Sequence, residues 1–156
     1  MPKKPQPKKS KPTSAIAGLS LLDIDLSFDP SFEDVDDVEL NYSLVVTPPK
    51  FVEDSLYFFN AKVIIGKGEK GSKAYRTAIR ARYFCGLQCE NMDAAAVELS
   101  ARKYAQTVIW GNFASLAAIV TQQMRAEFPV LPPMAATVRV EEDVEEGDDD
   151  VLLEAD

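Results

Sequence analysis

Between Val38 and Val46 the chain alternates with a period of two, setting Val38, Leu40, Tyr42, Leu44 and Val46 against Glu39, Asn41 and Ser43. Successive side chains of a strand point to opposite faces, so this run predicts a strand with one buried face. Three more runs carry the same signal. Leu22, Ile24, Leu26 and Phe28 oppose Asp23, Asp25, Ser27 and Asp29; Tyr57, Phe59, Ala61, Val63 and Ile65 oppose a mixed face of Leu56, Phe58, Asn60, Lys62 and Ile64. In the last, Tyr75, Thr77, Ile79, Ala81, Tyr83, Cys85 and Leu87 oppose Arg76, Arg80 and Arg82. Pro30 with the acids through Asp37, the stretch Thr47-Pro48-Pro49-Lys50 and the turn Gly66 to Gly71 separate the runs. Short connections and one-sided burial predict an antiparallel sheet covered on one face.

The period changes after Asn91. Asp93 is placed to cap a helix from Ala94 to Thr107, and Ile109, Phe113, Leu116, Val120 and Met124 then recur at helical spacing. Gly111 marks a kink or break between the two segments, Phe128-Pro129 ends the second, and Pro132-Pro133 forces extended chain. Strands followed by helices make an α+β domain with the helices packed on the apolar side of the sheet. Trp110 falls off the helical stripe and the third strand is apolar on both faces, so part of this surface needs a cover from outside the core.

Charge is concentrated in the flanks. Residues 1–14 hold five lysines and no acid, residues 141–156 hold ten acids and no base, and what lies between carries only −3 of the net −8. Flanks of this composition cannot bury enough apolar surface to order themselves, so the expected division is a disordered basic tail at 1–14, one domain at 15–135 and a disordered acidic tail at 136–156. The near-balanced middle gives no electrostatic reason to bind nucleic acid. No apolar run approaches the roughly 20 residues of a membrane span, and the N-terminal lysines lead into no signal-peptide core. A cytoplasmic protein is expected.

Reactive chemistry is sparse. Histidine is absent, which removes the usual base of a nucleophilic triad. Cys85 and Cys89, four positions apart on one strand, would have Cα atoms about 13 Å apart, beyond the roughly 7 Å that a disulfide allows. Two thiols without histidine cannot form an ordinary zinc site. Gly66-Lys67-Gly68 is too short for a phosphate loop. Asp23, Asp25 and Asp29 share a strand face but have no apolar pocket to shift their pKa values, and Arg76, Arg80 and Arg82 are expected to neutralise such acids across the sheet. No cofactor is implied and no enzyme is expected.

Residues 15–135 resemble the SecB family of export and holdase chaperones. Asp25-Leu26-Ser27-Phe28-Asp29-Pro30 is similar to the end of that family's first strand, and Val38-Glu39-Leu40-Asn41-Tyr42 to its second. The helix closing on Met124-Arg125-Ala126-Glu127-Phe128-Pro129, before Val130-Leu131-Pro132-Pro133, resembles its most recognisable segment. The resemblance implies a four-stranded antiparallel sheet assembled as a dimer of dimers, a homotetramer whose helices meet through Ile109, Trp110, Phe113, Leu116 and Val120. Val38, Leu40 and Tyr42 match positions lining a client groove, and Phe128, Leu131 and Met134 match the loop bordering it. Asp25 and Asp29 match acids by which export members dock the SecA motor. Arg76 and Ala78 stand where an apolar residue and an acid are usual, which predicts weakened docking, and Ala135-Ala136-Thr137-Val138 replaces the family's closing helix.

The expected function is therefore an ATP-independent holdase for unfolded or non-native polypeptides, serving export or a dedicated client such as an antitoxin. The rival reading is an adaptor that binds one folded partner through the sheet.

Overall fold

The computed structural model describes residues 10–32, 37–72, 74–126 and 128–142. Expectations for most of the basic tail and for the acidic tail beyond Glu142 lie outside the described residues.

Strand β1 spans Thr13–Ser27, β2 Val38–Val46, β3 Lys50–Glu53, β4 Leu56–Glu69 and β5 Thr77–Glu90; helices α1, Ala94–Tyr104, and α2, Trp110–Met124, follow, and β6 is Arg139–Val140. Paired strand thus extends past both ends of the 15–135 span. The architecture is α+β, but the sheet is six-stranded and mixed, correcting the four-stranded antiparallel expectation. Its order is β1-β5-β4-β2-β6, with β3 beside β4 and β6 parallel to β2.

Both additional strands have a local cause. After Pro49 the chain re-enters the sheet and turns at Asp54-Ser55, where both residues have positive φ, so β3 folds back on the start of β4. The prolines that stop β2 made this stretch read as loop. β6 is two residues long, too short for any alternation to register.

Strand β4 runs on through Gly66 and Gly68, which had read as turn. The chain entering β5 lies across them: a Cβ on Gly66 would collide with the Tyr75 ring, and one on Gly68 with the Ala74 carbonyl. Strand β1 carries register shifts between Ile16 and Gly18 and between Leu21 and Asp23. Leu22 is the extra residue of the second bulge, so Leu21, opposite Tyr83, takes its place on the helix side with Ile24 and Leu26. On the other face Arg82 hydrogen-bonds Asp23 at 2.6 Å and Arg80 reaches Asp25 at 3.4 Å, the cross-strand neutralisation expected there.

The helical region is not broken at Gly111. Asp93 caps α1 by accepting from Ala96 N at 2.8 Å, and a π turn over Ala105–Ile109 links it to α2. Val97, Ala101, Ala105, Ile109, Phe113 and Ala117 are all buried, each four residues after the last. On a regular helix such a row drifts about 40° per step, and the wider π turn takes up part of that drift. The row therefore stays over the sheet, packed on Phe59, Val63, Ile65, Ile79, Tyr83 and Leu87. Among the described residues no helix is long and apolar enough to cross a membrane.

Candidate functional site: an apolar groove beside helix α2

Helix α2 presents small side chains, Ala114, Ala117 and Ala118, to the segment that follows it, and their size leaves a gap above Ile65 of β4. Ala126 and residues 128–131 form the far wall, with Phe128 and Leu131 in its lining. The groove between them holds about 920 Å³, and among the described residues of its lining only Thr121, Gln122 and Arg125 add polar side chains. That is the size and character of a ligand cleft, apolar with a few polar groups at the border.

The far wall is pinned at four points. Arg125 ends α2 in the left-handed conformation, φ 54°, which reverses the chain. The Phe128 ring lies over the Lys67 ammonium, 4.9 Å from ring centroid to Nζ. Trp110 Nε1 donates to the Pro132 carbonyl at 2.7 Å. Ala135 N donates to the Gln106 carbonyl at 3.2 Å, and Gln106 Nε2 donates back to the Ala135 carbonyl at 3.3 Å. Between these anchors Val130 is 99% exposed, an aliphatic side chain held in water at the groove mouth.

The floor continues sideways along the strand register. Ile65 stands opposite Tyr42 on β2 and Ile79 on β5, and Ile79 stands opposite Leu26 on β1. Leu40 is likewise opposite Lys67, and Val38 is opposite Glu69. Phe128 and Leu131, expected on a loop bordering a client groove, line this cleft. Tyr42 and Leu40 are half-buried neighbours of its floor, and Val38 and Met134 are exposed outside its lining.

The residues assigned to an interface between subunits are placed differently. Ile109, Trp110 and Phe113 are 0% exposed, covered within the chain itself. Trp110 packs 5.0 Å from the Tyr42 ring and 6.1 Å from that of Phe113. Leu116 and Val120 are half-buried. Uncovered apolar side chains among the described residues include Leu99, Val108 and Ile119 on the helical region and Leu21, Leu22, Ile24, Leu26 and Phe28 along the β1 edge.

Asp25 is 68% exposed and held by Arg80, while Asp29 turns its carboxylate back on Ser31, at 2.6 Å from the hydroxyl and 3.0 Å from the backbone N. The Ser31 hydroxyl is the main reason that the Asp29 pKa lies below the ordinary carboxylate value. Burial pushes the Cys85 thiol up to about 11 and the Tyr83 phenol to about 12, so both stay protonated at neutral pH. Three contributors escaped the sequence reading: Ile65, which looked like any core position, Arg125, and the alanines of α2. The cluster Ala114 to Ala118 was the available signal, because small residues in a helix that must cover a sheet leave room beside it.

No protein-family model and no curated protein matches the chain. Among solved structures it is similar to the SecB-like chaperone Rv1957 of Mycobacterium tuberculosis in complex with a ChAD peptide from the Rv1956 HigA1 antitoxin. The TM-score is 0.44 at 11% identity, over 76% of this chain and 87% of that one. The likeness is coarse.

Proposed function

We propose that this protein is an ATP-independent holdase of SecB-like type, which takes extended apolar stretches of non-native polypeptides into the groove beside α2. The carrying observation is the groove itself: about 920 Å³ with an apolar floor and walls, held open by a pinned segment. Unfolded chains expose the side chains such a trough desolvates, and contacts of this kind are non-directional, so many sequences can bind. The backbone of an extended client would find hydrogen-bonding partners in Thr121 and Gln122.

A dedicated client fits better than a general export route. Asp25, an acid that a SecA-type motor would grip, is already held by Arg80, and Asp29 by Ser31. Self-association is part of the proposal, through the exposed apolar side chains of the β1 edge and of Val108 and Ile119 in place of Trp110 and Phe113. Suppression of aggregation is the test. Two unrelated proteins diluted from denaturant should both stay dispersed with the chain present, whereas undiminished light scattering at several-fold molar excess would refute a holdase. Protection of one folded partner alone would instead favour the adaptor reading.

A further inference from the structure

Fourteen residues follow Glu142, and their composition is unusual: eight acids surround one apolar cluster, Val151-Leu152-Leu153. We propose that this cluster docks in the groove of its own subunit and competes there with clients; the inference rests on the groove being a binding site.

Reach permits it. Glu141 N donates to the Val46 carbonyl at 3.0 Å, which fixes where the chain leaves the sheet. The groove floor, Ile65, pairs with Tyr42, four residues back along β2, or about 13 Å, and lies two strand spacings of about 4.8 Å from β6. Residues 143–150 can span up to about 27 Å when extended, more than the separation requires.

Chemistry favours it. Among the described residues that line the groove, Arg125 carries the one formal charge, and the Lys67 ammonium lies just beneath Phe128. Asp150 and Glu154 bracket the apolar cluster, so seating it would bring a carboxylate toward that cationic rim while the leucines leave water. A tether this short holds the cluster at roughly millimolar effective concentration, enough to matter even where the free peptide binds weakly.

The test uses the full chain and the neutral apolar dye N-phenyl-1-naphthylamine. Leu152→Asp/Leu153→Asp should bind the dye about fivefold more tightly than the unaltered chain, the gain expected when a weak competitor at millimolar local concentration is removed. A synthetic peptide of residues 143–156, added to that variant, should displace the dye, and less well when Arg125→Glu is also present. The difference between the two chains should persist on tenfold dilution. Equal dye affinity of the two chains, no displacement by the peptide, or a difference that vanishes on dilution would overturn the proposal. Ala118→Trp separates the two claims: if it abolishes dye binding while the leucine variant changes nothing, the groove stands and its internal occupant does not.

Discussion

Trp110 Nε1 donates a 2.7 Å hydrogen bond to the carbonyl of Pro132, and this contact joins the start of α2 to the segment that walls the groove. The indole is fully buried against Tyr42, so the bond is shielded from water at its donor end. A residue that looks like spare surface on a helical wheel thus fastens the site.

Trp110→Phe keeps most of the apolar volume and removes the donor. It is expected to lower stability by about 1–3 kcal/mol, the cost of an unmatched carbonyl plus a small void. Urea unfolding should show a lower midpoint with an unchanged slope. Client affinity should fall more than in a core variant of equal stability loss, because the wall loses an anchor.

At the crossing of Tyr75 and Gly66, Gly66→Ala should destabilise by about 1–3 kcal/mol, as an overpacked contact does. Tyr75→Ala in the same chain should recover part of that loss, since the ring is what the new methyl meets. Strictly additive losses in denaturant melts would contradict this packing. Gly68→Ala should have no such rescue, because the obstacle is the Ala74 backbone carbonyl.

Among the described residues Arg80 is buried on the face away from the helices with Nε and Nη2 unpartnered, and its one ion pair there, to the exposed Asp25, is 3.4 Å long. Desolvating a guanidinium for so little return is unfavourable, so Arg80→Met should hold or raise the melting temperature. A loss above about 2 kcal/mol would mean that the guanidinium is better satisfied in solution than this geometry allows.

Burial raises the Cys85 pKa from 9.0 to about 11. The unfolded chain therefore releases this proton first, and stability present below pH 9 is lost as pH rises toward 11. Cys85→Ala should flatten that part of the stability profile after correction for the deleted sulfur. The unaltered chain should also react with a disulfide reagent at pH 8 only as fast as it opens, since Cys85 and Cys89 are both buried.

Legibility followed the length of each pattern. Nine residues of clean alternation placed β2, and Asp93 marked the start of α1, because both signals are local. The β1 bulge could not be read, since Leu22 is as apolar as Leu21 and only pairing with β5 shows which one is extra. The fate of Trp110 depended on the π turn, whose residues, Ala105 to Ile109, carry no distinctive spacing. The resemblance put Phe128 and Leu131 on a loop bordering a client groove, and both line the cleft beside α2. The groove itself was hidden, because a cavity is made by side chains that are too small, and alanine in a helix first signals propensity.

The central claim is that the space between α2 and residues 128–131 holds non-native polypeptide. It is tested most directly by titrating a fluorescently labelled, permanently unfolded polypeptide with the unaltered chain and with Ala118→Trp, reading anisotropy. Ala118 is exposed at the groove wall, so tryptophan there fills the trough without entering the core. At least about tenfold weaker binding, with the urea midpoint preserved, is the expected result, equivalent to roughly 1.4 kcal/mol of lost contact. Equal affinity of the two chains for the unfolded polypeptide would contradict the assignment of function to this groove.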